Sequence, residues 1–327
     1  MYLSDIHTHS IASGHGTICT ISDMAKAASK KGLKLLGITD HGPGTLAAGT
    51  SSYFRSLTYA PKKRFGIELL FGVELNILDI DGHLVVDDET FDQADFLKRV
   101  AASPNCPKSS CPSPHRYLEA YTCDADHVYA VTLSAELSGS YNSAELGKKL
   151  YEEEYGEKKI HIFNSRSASI GETLIALKIE ACEKAGMSFE DVIAAVDAYI
   201  AEQHTYFVLE SLEALRKNGR LSNLKAFVAN ALNIKPVMGA TPQGTICQKD
   251  QARGVNRALK RMADYVAEEI KNPAEKIVAI SHCNCPERAQ FVKEEIAKRI
   301  SVKDFLILDT AGVSSLYASD GGIIVVA

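Results

Sequence analysis

Two periodicities alternate along this chain. Short apolar runs bounded by Gly, Pro and hydroxyl residues carry the pattern of strands, and between them apolar residues recur at three- and four-residue steps, as on amphipathic helices. The first run leads into Asp5-Ile6-His7-Thr8-His9-Ser10. Thr20 with Asp23 has the spacing of a capping box for a helix over 21–31, and Gly32 stands where that helix should stop. Leu33 to Ile38 and Leu69 to Val73 predict two further strands. A junction over 85–92 leads into a short helix, and a run with three prolines, Cys106 to Pro114, forbids a continuous helix or a central strand. Val128 to Leu133 predicts a strand and 141–154 a helix. A strand over 159–163 and a helix over 170–185, stopped by Gly186, come next. Ser188 to Asp191 caps a helix to about Gln203, followed by a β-rich run from Thr205 to Leu209. Helices are predicted over 212–217 and 220–232. Val237 to Ala240 and Thr245 to Gln248 flank Thr241-Pro242-Gln243-Gly244 as a hairpin. Leu259, Met262, Val266 and Ile270 form one stripe of a long helix over 254–271. Strands at 276–281, 303–308 and 322–326 complete the chain, with a helix to Arg299 between the first two. This alternation predicts an α/β protein.

A length of 327 residues suggests about two domains. The formal charge of −5 gives no support to a general nucleic-acid-binding surface, and no apolar run reaches membrane-spanning length. Met1-Tyr2-Leu3-Ser4-Asp5 lacks the basic and apolar regions of a signal peptide, and eight irregularly spaced cysteines do not form a disulfide framework. A cytoplasmic location with reduced thiols is the expectation.

Two groups of residues carry candidate chemistry. The first is the turn from Leu133 to Ala144, where a strand passes through Leu137-Ser138-Gly139-Ser140 into a helix start. Orphan N–H groups and small side chains at such a turn suit a carboxylate or a phosphate, or the serines only cap the helix. The second is the recurrence of imidazole and carboxylate near the ends of the first three strands: His7, His9, His15, His41 and Glu74. Such residues suit zinc, manganese or iron. His282-Cys283-Asn284-Cys285 also ends a strand, but Pro286-Glu287-Arg288 after it reads better as the opening of a helix.

With these residues in view, the N-terminal 84 residues resemble the start of the PHP (polymerase and histidinol phosphatase) family of metal-dependent phosphoesterases. The matching motifs are Asp5 to Ser10, Ser13-Gly14-His15, Ile38 to Pro43 and Gly72 to Ile77. That resemblance implies PHP-like βα units and a metal site at His7, His9, His15, His41 and Glu74. The family's later ligand-bearing strands have no counterpart, so the segment reads as truncated and its hydrolase activity as impaired.

Residues 85–327 resemble the DegV family of fatty-acid-binding proteins. The marks are Lys108-Ser109-Ser110-Cys111-Pro112-Ser113-Pro114, Leu137 to Tyr141, Gly219-Arg220-Leu221-Ser222, Leu232 to Pro236, Lys249 to Gly254 and Ala318 to Gly322. The family's N-terminal strand, ending in Asp-Ser, is not recognisable. The resemblance implies two α/β domains with a ligand tunnel between them. It implies a carrier that presents a long-chain fatty acid to a fatty-acid kinase and requires no cofactor. By resemblance, Ser109 and Ser138 hold the carboxylate, and Tyr317 stands where many members carry a histidine. Ser110, Gly139, Arg220 and Gly321 are further ligand-binding candidates on the same basis. The rival expectation is the metal-dependent phosphoesterase.

Overall fold

The computed structural model describes residues 4–8, 20–31, 35–41, 63–64, 67–74, 77–81, 83–86, 91–221 and 233–327. The chain divides into two compact units, Met1–Ile77 and Leu78–Ala327. The helix expected over 220–232 lies outside the described residues from Ser222 on.

In the first unit, strand β1 (Ser4–Thr8) leads to helix α1 (Ile21–Lys30), β2 (Leu35–His41), β3 (Lys63–Arg64) and β4 (Ile67–Glu74). The sheet order is β1-β2-β4-β3, with β1, β2 and β4 parallel and β3 antiparallel to β4. Parallel neighbours need crossovers, and α1 supplies one. Its start carries the capping box read from the sequence: Thr20 accepts from the Asp23 N–H, and Asp23 accepts from the Thr20 N–H. β2 and β4 run past their expected ends, placing His41 opposite Glu74 in register.

A small sheet follows from the boundary onward, β5 (Ile77–Ile80), β6 (His83–Val86) and, after helix α2 (Gln93–Ala102), β7 (Lys108–Ser109), in the order β6-β5-β7. The two residues of β7 pair at an edge, so the proline-rich run is anchored rather than a plain linker. Helix α3 (Pro114–Tyr121), β8 (His127–Thr132), α4 (Ser140–Tyr155), β9 (Lys159–Asn164), α5 (Ile170–Lys184) and α6 (Phe189–Glu202) follow. β8 and β9 pair in parallel from His127↔Lys159 to Thr132↔Asn164. Alternation along them decides which helices they meet. Val128, Ala130, Ile160 and Ile162 pack with Tyr121 of α3 and Ala144 of α4, whereas Tyr129, Val131 and Phe163 meet α5 and α6.

The remainder forms β10 (Thr205–Val208), α7 (Glu213–Lys217), β11 (Ile234–Ala240), β12 (Ile246–Arg253), α8 (Val255–Glu269), β13 (Ile277–His282), α9 (Pro286–Ala297), β14 (Asp304–Asp309), α10 (Gly312–Ala318) and β15 (Ile323–Val326). Six strands join as β12-β11-β10-β15-β13-β14. Helices α8 and α9 cover one face: Leu259, Met262, Val266, Val292 and Ile296 are buried against Tyr206, Val208, Val278 and Ile280. The stripe read from the sequence is the buried face of α8. On the other face, Ile170 and Leu174 of α5 reach Ala279 and Val326. Among the described residues no helix is long and apolar enough to cross a membrane.

Candidate functional site

The uncovered part of the second face leaves a cavity open to solvent. Its floor is the sheet: Phe207 and Leu209 from β10 and its end, Gly239 of β11, Ile246 of β12 and Ile324 of β15. Its walls are the turns after β8 and β9 together with α10.

The turn after β8 is folded by its own short-range bonds. Leu137 and Ser138 donate backbone N–H groups to the Ser134 carbonyl at 2.9 and 3.1 Å, and Ala135 N–H meets Asn164 Oδ1 at 3.1 Å. Gly139 is the N-cap of α4 and supplies no side-chain cap. Ser138 fills that role from outside the helix, accepting from the Ser140 N–H at 3.2 Å and lying 2.9 Å from Ser140 Oγ. Capping and ligand binding are therefore joint demands on one hydroxyl. Gly139 allows the Ser-rich run to come close, because an added Cβ would stand 3.3 Å from Cys111 Sγ.

Ser109, Ser138, Arg220 and Tyr317 all line the cavity. Ser109 Oγ and Tyr317 Oη are 3.0 Å apart. The Arg220 guanidinium lies over the Tyr317 ring at 5.5 Å and donates through Nε to the Leu137 carbonyl at 3.2 Å. A residue from β7, one from the β8 turn, one from α10 and one after α7 thus converge, with the α4 N-terminus adding its partial positive charge. Buried carboxylates require this kind of hydrogen-bonding environment. The other sequence candidates stand elsewhere: Ser110 is exposed and outside the lining, as is Gly139. The Gly321 carbonyl accepts from Arg288 Nη1 at 2.6 Å.

A second cleft shares Leu133, Ser169, Val313 and Ser314 with the first and adds Glu172 and Asp309. Burial pushes the Glu172 carboxyl up to about 8, against a backbone hydrogen bond from Ser169 that works the other way. Sequence reasoning passed over Ser167, Thr205, Phe207, Gly239 and Gly244 as cavity residues. Only the β-rich composition of 205–209 pointed at any of them.

His9 and His15 lie outside the described residues; His7, His41 and Glu74 fall in described strands, but their side chains do not. Among the described residues no group of three or more His, Cys, Asp or Glu is placed to hold a metal. The His282 motif is engaged in its turn. His282 Nδ1 lies 3.2 Å from Asp309 Oδ1, Cys283 and Cys285 are buried, and burial pushes the Cys285 thiol up to about 11.

The profile of the DegV family, described as an uncharacterised protein family, matches residues 56–327. It therefore takes in residues 56–84, which the sequence reading assigns to the preceding segment. A DegV domain-containing protein of Streptococcus pneumoniae strain R6 is 33% identical over 247 residues, 76% of this chain and 87% of that protein. A DegV family crystal structure from Ruminococcus gnavus, refined with vaccenic acid, is 60% identical, with a TM-score of 0.76 over 79% of this chain and 92% of that one. The Fatty Acid Kinase (Fak) B3 protein of Streptococcus pneumoniae, solved loaded with linoleic acid, is 31% identical, with a TM-score of 0.71 over 82% and 93%. The fold, the cavity on the open sheet face and these matches establish that the chain belongs to the DegV family.

Proposed function

We propose that this protein binds a long-chain fatty acid in the cavity and presents its carboxylate to a fatty-acid kinase. The observation that carries the reading is a cavity with an apolar floor on the sheet and a group of polar residues at Ser109, Ser138, Arg220 and Tyr317. The acids in the Ruminococcus gnavus and Streptococcus pneumoniae structures support it. In this reading Ser109 and Ser138 donate to the carboxylate, and the Tyr317 hydroxyl donates in place of a histidine. Ser110, Gly139 and Gly321, ligand-binding candidates by resemblance, lie outside the cavity lining and take no part in this reading. Displacement of a fluorescent fatty acid by oleate tests the reading; an unlabelled acid that displaces nothing refutes it.

A second reading concerns residues 1–84. We propose that this PHP-like segment binds zinc, manganese or iron weakly and has little or no phosphoesterase activity. Its support is the parallel strand set that brings His41 and Glu74 into register, next to the strand that carries His7. A hydrolytic site needs fixed ligands, an open position and supporting outer contacts, and the sequence supplies only part of such a set. Elemental analysis with a p-nitrophenyl phosphate assay decides it. Stoichiometric metal with strong turnover that His7→Ala abolishes would replace this reading with the phosphoesterase.

A further inference from the structure

β10 sets the length of the cavity. Thr205, Phe207 and Leu209 alternate along the chain and all line the cavity, while Tyr206 and Val208 enter the core on the other face. At about 3.3 Å per residue, Leu209 and Thr205 stand about 13 Å apart. Val208 pairs with Ile323, the end of β15 that follows α10 and its Tyr317, whereas Thr205 pairs with Val326, so the Leu209 end is the carboxylate end. Thr205 marks the other end, and there the wall is polar.

Thr205 Oγ1 and Ser167 Oγ are 2.6 Å apart, and both residues are buried. Two hydroxyls that share one hydrogen bond still hold one O–H hydrogen to donate. Beside them, both polar atoms of the Gln203 side-chain amide are buried without a partner. Gly171 shows how these groups converge: an added Cβ would stand 2.2 Å from Ser167 Oγ and 2.9 Å from Gln203 Nε2. A hydroxyl pair with a spare donor and an unmatched amide thus meet in the first turn of α5. A methyl or methylene group placed here would leave those groups unmatched. An oxygen on the ligand would accept the spare hydrogen and give its own to a hydroxyl of the pair, with the Gln203 amide behind them and outside the cavity lining.

We infer that this end of the cavity recognises a second oxygen on the acyl chain: the preferred ligand is a hydroxy fatty acid whose hydroxyl is held by Ser167 and Thr205, backed by Gln203. This rests on the carboxylate lying at Ser109 and Tyr317. An extended alkyl chain built from 1.5 Å bonds rises roughly 1.3 Å per carbon. The 13 Å span therefore places the hydroxyl about ten carbons along the chain.

The test compares stearic acid with 10-, 12- and 2-hydroxystearic acids in binding to the full chain. One of the two mid-chain hydroxy acids should bind roughly two- to tenfold more tightly than stearic acid, the range of one net neutral hydrogen bond. The 2-hydroxy acid should show no such gain. Thr205→Val, which keeps the shape and removes the hydroxyl, should erase the difference between the mid-chain hydroxy acid and stearic acid; Thr205→Ser should restore it. Stearate binding without a mid-chain preference, or a preference unchanged in Thr205→Val, overturns the inference and leaves the fatty-acid reading standing. Failure of all four acids to bind removes both.

Discussion

Ser109→Ala deletes one hydroxyl from the group proposed to hold the carboxylate. That hydroxyl has one hydroxyl partner, Tyr317 Oη at 3.0 Å, and Ser109 is half-buried. The stability cost should therefore stay near 1 kcal/mol, the net value of an ordinary hydrogen bond. With ligand bound, the same hydroxyl faces a negative charge, and losing that bond costs roughly 1.5–3 kcal/mol, or about 10- to 100-fold in affinity. Ser138→Ala should weaken binding by a similar factor and also destabilise the protein by about 1 kcal/mol, because Ser138 accepts from the Ser140 N–H at the start of α4. The two variants thus separate capping from ligand binding. A fluorescent fatty-acid titration gives affinity, and thermal unfolding of ligand-stripped protein gives stability. Wild-type affinity in both variants would refute the assignment of the carboxylate to this end.

Gly244→Ala should lower the melting temperature by the equivalent of about 1–3 kcal/mol, since Gly244 has φ +90° and an added Cβ would lie 2.3 Å from Ser134 Oγ and 2.8 Å from Arg166 Cα; wild-type stability would contradict the close approach of the hairpin. Glu172 ordinarily titrates at 4.5 and is pushed up to about 8, so the folded chain keeps a proton that the unfolded chain releases between those values. Its contribution to stability is complete below about pH 4.5 and falls as pH rises through 8. Glu172→Gln should match wild type at pH 4.5 and melt higher at pH 9; parallel pH profiles in thermal unfolding would contradict this.

Local chemistry made much of the fold legible. The Thr20–Asp23 box, the Gly186 stop at φ +73° and the hairpin around Gly244 depend on neighbours in sequence, and each stands where the pattern put it. The cavity was legible only where hydroxyl-rich turns and family motifs met, at Ser109, Ser138, Arg220 and Tyr317. Its floor was not. All four residues of β10 are buried, so no polar alternation marks which of them face the ligand. That is decided by pairing to β11 and β15, whose partners lie far away in sequence. β7 has no signature in the sequence, because two residues between prolines carry no periodicity. The short helix expected here is α2, held by burial of Phe96 against Leu78 and Leu316.

Native mass spectrometry of the purified full chain tests the central claim most directly. The account predicts a mass above that of the polypeptide by one long-chain fatty acid, released by organic solvent and restored by added oleate. A bare polypeptide mass that neither palmitate nor oleate shifts would contradict it.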